Sequence, residues 1–195
     1  MDLQPLVGDT FARLADLLEA NDVWDRPSLC EGWRVREVVA HVTMPARMTP
    51  EQYGAEIAAA GGDFQAMSDA VAARDASLPV EEHLANLRSD TLAAWQPPVG
   101  GALGALNHAV VHALDVTNAA GLERASGDDA TVAILDGLAR DGGAARFGVA
   151  VDGLALRATD LDWTWGDGSR AVSASSGELV SLLSHRTLTD GTTLA

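Results

Sequence analysis

Apolar residues recur at helical spacing through the first two-thirds of the chain. Leu3, Leu6, Phe11, Leu14, Leu17 and Leu18 share one helical face, and the run ends near Asn21 and Asp22. A loop follows, DRPSLCEGW, in which Pro27 and Gly32 break any helix. In VREVVAHVTMPAR, residues Val35, Val38, Val39 and Val42 line one face until Pro45 stops or kinks it. Residues 50–76 form an Ala-rich helical stretch interrupted at Gly61 and Gly62. Pro79 opens a further helix, VEEHLANLRSDTLAAW, with acids in the first turn where the helix dipole favours them. After the loop QPPVGG, the stretch ALGALNHAVVHALDVTNAAG gives the strongest helical pattern and stops at Gly121, a natural C-cap. Another helix covers about 128–140.

The pattern then changes period. FGVAVDGLALRATDLDWTWGDGSRAVSASS alternates apolar and polar residues, and its Asp-Gly pairs at 152–153 and 167–168 read as hairpin signals. GELVSLLSHR reads as a short amphipathic helix. The expectation is a mainly α protein: a helical bundle over 1–142 and a short α+β module over 143–195.

Composition narrows the function classes. There are 28 acids against 13 bases, a net charge of −15, and no Lys/Arg cluster, so nucleic acid and anionic membranes are excluded as partners. At 47% hydrophobic residues, the acidity reads as a solvated surface on a folded core and not as disorder. One cysteine, Cys30, fits a reducing cytoplasm. Neither a basic leader nor a membrane-length apolar run is visible, so a soluble cytoplasmic protein is expected. The sequence leaves a homodimer open.

The chemistry lies in the histidines. His108 and His112, four apart on the best helix, share a face about 6 Å apart along the axis. Two imidazoles so placed can reach one metal ion, although an HxxxH pair alone is weak and buried histidines bonded to backbone are commoner. An unpaired ring among Ala, Val and Leu is costly, which favours a ligand. A third ligand must come from another helix, and His41, late on an apolar face, is the natural candidate. Asp115, three residues after His112, could fix a histidine tautomer, or be an ordinary polar residue near a helix end. Glu37, one turn before His41, could serve as a general base or simply pair with Arg34. Arg47 and Arg88 are the candidates for holding a carboxylate. Cys30, about 16 Å from His41 if helical rise is counted, is expected to be a packed small residue. His83 and His185 are expected at the surface. Trp33 should pack into the bundle end, and Trp163 and Trp165 between tail and bundle.

Three stretches carry a resemblance. WDRPSLCEGWRVREVVAHVT (24–43) resembles the N-terminal signature of the mycothiol-dependent maleylpyruvate isomerase family, within the wider DinB-like group of metal-binding four-helix bundles. NHAVVHALDVTNAAG (107–121) looks like the group's second signature, and LALRATDLDWTWGDG (154–168) looks like the family's C-terminal module. The resemblance implies a DinB-like four-helix bundle and a divalent ion, zinc or nickel, on His41, His108 and His112. It also implies mycothiol as a thiol cofactor that attacks a small electrophile, giving S-transfer or isomerisation. The isomerase proper is similar to a version with Glu where this chain has His108. The three-histidine set looks more like other DinB-like proteins, thiol transferases among them. The isomerase also has a larger C-terminal domain than residues 143–195 supply. A metal-binding protein or sensor without turnover is the competing reading.

Overall fold

The computed structural model describes residues 2–194. Helix α1 (Gln4–Ala20) starts with Pro5 in its first turn and buries Val7, Phe11, Leu14 and Leu18 on one stripe. The chain then loops to α2 (Val35–Val42), α3 (Met44–Arg47), α4 (Pro50–Ala59) and α5 (Phe64–Asp75). The break between α4 and α5 falls at Gly61 and Gly62, both at positive φ.

The long helix expected after Pro79 is two. These are α6 (Val80–Leu87) and α7 (Asp90–Ala94), separated at Arg88 and Ser89. Ser89 caps α7 by accepting from the Leu92 amide at 3.2 Å. A serine hydroxyl that satisfies an orphan helix donor competes well with continuing the helix.

Helix α8 (Gly101–Ala120) is the centre of the molecule and packs on α1, α2, α9 (Asp128–Ala139) and α10 (Ser176–Leu183). Contact with so many partners explains why it is buried nearly all round, and why so many of its positions are Ala or Val. It ends at Gly121 in the left-handed conformation, where a side chain would be strained.

The tail runs from a 3-10 turn (Gly143–Phe147) through β1 (Leu154–Ala158), β2 (Thr164–Trp165) and β3 (Arg170–Ala174) to α10. The sheet order is β2-β1-β3, with β1 antiparallel to β2 and parallel to β3. Neither Asp-Gly pair therefore turns a hairpin: 152–153 precedes β1, and 167–168 lies between two strands that do not pair. Gly168 instead permits backbone contact, since a Cβ there would lie 2.0 Å from the Gly153 carbonyl.

Helix α10 is buried on almost every side instead of being amphipathic, because it wedges between α8 and α9. Gly177 allows the approach, as a Cβ there would lie 2.8 Å from Leu114 Cδ2. Trp163 is buried and donates its indole N–H to Asp136 on α9 at 2.9 Å. One hydrophobic cluster runs from Val7 to Leu194, so the bundle and the tail share a core.

Candidate metal centre

The site forms where the last turn of α2 meets the middle of α8. Helix α2 is set by its N-terminus. Glu37 accepts from the Arg34 amide (2.9 Å) and pairs with the Arg34 guanidinium (2.6 Å). This anchored start lays Val35, Val38, Val39 and Val42 into the core and places His41 against α8.

His41 Nε2 lies 3.3 Å from His108 Nε2, and one ring nitrogen from each of His41, His108 and His112 falls within 4.8 Å of the others. The ring centroids are 5.3, 4.9 and 4.9 Å apart. Indoles close the sides: Trp33 sits 5.1 Å from the His41 ring and Trp95 5.3 Å from that of His108.

Burial, then the neighbouring His112, pushes His41 down to about 3. Burial and two adjacent imidazoles push His108 well below its ordinary value. Both rings are therefore neutral near pH 7, the form that binds a metal.

A tetrahedral ion with Zn–N bonds of 2.0–2.1 Å needs its ligand nitrogens about 3.3–3.4 Å apart. The 3.3 Å between His41 and His108 meets that requirement. A direct hydrogen bond between two neutral rings would also span it, but would leave the third imidazole unexplained.

The outer side of the centre is charged. Asp115 is fully buried and faces His112 Nδ1 through Oδ2 at 2.9 Å. Arg186, from the tail, donates to the same carboxylate twice, Nε to Oδ1 at 2.7 Å and Nη2 to Oδ2 at 3.0 Å. Burial alone would raise Asp115, but the hydrogen bonds from His112 and Arg186 reverse this and hold it ionised, below the usual carboxylate range. With Nδ1 donating to Asp115, His112 presents Nε2 to the other two rings.

Cys30 belongs to this network, which corrects the 16 Å expectation. Its Sγ donates to Asp115 Oδ2 at 3.0 Å and lies 3.9 Å from His112 Nδ1. Helical rise does not apply, because residues 28–33 form a loop that folds back onto α8, where the Leu29 amide donates to the Asp115 carbonyl at 2.9 Å. Burial, then the Asp115 charge, pushes the thiol up, so Cys30 is a hydrogen-bond donor and not a nucleophile. Cys30, His112 and Asp115 also cluster within 4.8 Å, but the guanidinium of Arg186 already answers the carboxylate there.

The other expected site residues lie elsewhere. Glu37 is committed to Arg34 and is a helix cap, not a base facing His41. Arg47 is taken by Asp75, Thr43 and the Ala40 carbonyl, and lines a smaller polar pocket of about 600 Å³ that contains no imidazole. Arg88 binds Asp16 and Glu19 of α1 at the surface. His83 is not at the surface but fully buried, stacked on Trp24 at 5.6 Å. His185 is exposed, at a positive φ.

A cavity of about 1190 Å³ opens onto His41 and His108. Its walls come from α3, α9, the Pro97–Pro98 loop and the 3-10 turn of the tail, and Trp95 and Arg146 are among its lining residues. Sequence reasoning missed Trp95, Arg146 and Arg186. Only Trp95 carried a local signal, as a large aromatic ending a helical run just before a Pro-Pro loop.

A family model described as the mycothiol maleylpyruvate isomerase N-terminal domain matches residues 6–117, a span that holds all three imidazoles and Asp115. The tail that supplies Arg146 and Arg186 lies beyond the match. Among curated proteins and among solved structures, nothing matches the chain. With more than half its length matched, the chain belongs to the mycothiol maleylpyruvate isomerase N-terminal domain family.

Proposed function

We propose that His41, His108 and His112 hold one divalent ion, zinc in the first instance and nickel as the alternative. The chain is then an enzyme that joins a low-molecular-weight thiol, mycothiol, to an electrophilic small molecule or uses it to isomerise one. The observation that carries this reading is the convergence of three imidazoles with ring nitrogens within 4.8 Å of one another, one pair at 3.3 Å, two of them facing a cavity. A divalent ion in such a set lowers the pKa of a bound thiol and so supplies thiolate near neutral pH.

The chain's own residues do the remaining work. Asp115 accepts from His112 Nδ1 and so turns Nε2 inward. Arg186 keeps that carboxylate charged and fixed. Trp33 and Trp95 hold the other two rings by packing and keep water from their flanks. The cavity receives the electrophile on the side where His41 and His108 are accessible.

A metal-binding protein or sensor without turnover would need the same three ligands. The cavity at two of them favours chemistry. Incubating the zinc-loaded protein with mycothiol and monochlorobimane tests the transfer: the expected product is the bimane thioether. No conjugate above the uncatalysed rate, with isomerase activity on maleylpyruvate also absent, would overturn the enzyme reading and leave the ion in place.

A further inference from the structure

Four large hydrophobic side chains stand exposed among the described residues: Tyr53, Phe64, Val99 and Leu103, with Val99 82% accessible. All four line the cavity that reaches His41 and His108. Single exposed hydrophobics are ordinary on a protein surface, but their convergence on one opening marks a place where an apolar body is received.

The charge of this cavity is just as selective. Beside the two imidazoles, Arg146 is the one Arg, Lys, Asp or Glu that lines it; its side chain is exposed and has no hydrogen-bond or ion-pair partner among the described residues. In a molecule of net charge −15, the long-range field repels anions, so an anion enters only where a local cation answers it. With the thiol of the proposed reaction on the ion's open position, Arg146 is left to answer one anionic group on the second molecule.

We propose that the cavity binds an amphipathic monoanion, an apolar chain or ring system ending in one carboxylate or similar group. Its anion sits on Arg146 and its body lies along the hydrophobic mouth. Making that molecule the electrophilic substrate rests on the metal-dependent enzyme reading above. Size agrees: ligand sites commonly measure about 300–1,000 Å³, so about 1190 Å³ leaves room for a thiol beside it.

Decanoate and decanol, equal in length and different in charge, are the probes. Their affinities are measured by calorimetry for the zinc-loaded wild type, Arg146→Gln and Gly137→Leu, with zinc content read on the same samples. Gly137 lines the cavity from α9, and a Cβ there meets nothing within 4 Å, so Leu fills space without a clash at its base.

Wild type should prefer decanoate. Arg146→Gln should weaken decanoate about tenfold and leave decanol within about twofold. Gly137→Leu should weaken both. Equal affinities in the wild type, no decanoate binding, or decanoate unaffected by Arg146→Gln would each overturn the proposal. The same holds if the apolar mouth is instead buried between two copies of the chain and excludes the probe. A zinc-loaded protein indifferent to decanoate removes the ligand class alone. A wild type that takes up no zinc and still selects decanoate through Arg146 keeps the ligand class and removes the metal-dependent enzyme reading.

Discussion

His112 and His41 face the same centre, yet the outer nitrogens of their rings have opposite surroundings. His112 Nδ1 meets a buried carboxylate that also holds Arg186 and Cys30. His41 Nδ1 and His108 Nδ1 are buried with no hydrogen-bond partner among the described residues, and their rings are placed by packing against Trp33 and Trp95. One imidazole is oriented by charge and two by shape. The charged side centres on a fully buried carboxylate and includes a residue from the tail, while the packed side opens onto the cavity. An imidazole fixed by charge keeps its tautomer with or without an ion, which the proposed site would need in order to reload. Ligands without polar partners leave the open side free of groups that would compete with a substrate for hydrogen bonds.

The largest effect should come from breaking the charged side. Asp115→Ala leaves the partly buried Arg186 without its carboxylate, and breaking a buried pair costs about 3–5 kcal/mol. Urea unfolding should show that loss, and ion affinity should fall about 10–100-fold because His112 loses its orienting partner. If stability falls and affinity does not, charge does not orient the ligand.

Next comes the ion itself. Zinc at a free concentration a hundredfold above its dissociation constant should stabilise the protein by about 2.7 kcal/mol, read as a rise in melting temperature. His41→Ala should abolish the rise. Arg186→Met follows, at about 2 kcal/mol, below the full cost of a buried pair because the Asp115 carboxylate left behind keeps its hydrogen bonds from His112 and Cys30. Its expected loss of ion affinity is about tenfold, checked by competition with a chromogenic chelator.

The effect that is smallest near neutral pH, and grows only in acid, separates the two sides in the metal-free protein. His41 has its folded value pushed down from 6.5 to about 3, so folding favours the neutral ring. That contribution is complete above pH 6.5 and is lost as pH falls toward 3, where the unfolded chain binds the extra proton. Asp115 is pushed below its ordinary 3.8, so its contribution is complete above that value and lost only at still lower pH. His41→Phe should therefore reduce the slope of stability between pH 6.5 and 3, with His108 supplying the remainder, and Asp115→Asn should leave that slope in place. Urea midpoints across the range check both.

Much of the packed side was legible in the sequence. The 3.6-residue pattern of α8 put His108 and His112 on one face, and the valines of α2 aimed His41 at the core. His83 could have been read the same way. It falls on the stripe Val80, His83, Leu84, Leu87, but the adjacent Glu81 and Glu82 made it look solvated. Ser89, followed by Asp90, carried a capping signal inside what looked like one continuous helix.

The charged side was largely hidden. Arg186 and Asp115 are 71 residues apart, and their meeting depends on α10 wedging against α8 through the small residue Gly177. No periodicity encodes that docking. Cys30 was misplaced because its distance was counted as helical rise along a segment that is a loop folded back on α8. The Asp-Gly pairs misled because the β1–β2 hairpin turns at 159–163 and β1 pairs with β3 in parallel, so neither pair lies at a hairpin turn.

The central claim is that three imidazoles hold one ion, and metal stoichiometry tests it most directly. The protein is purified without chelators, loaded with zinc or nickel, dialysed, and measured beside His108→Ala by mass spectrometry of the metal. The account expects one ion per chain in the wild type and none retained by the variant. A wild type that retains none, or a variant that retains as much as the wild type, would contradict it.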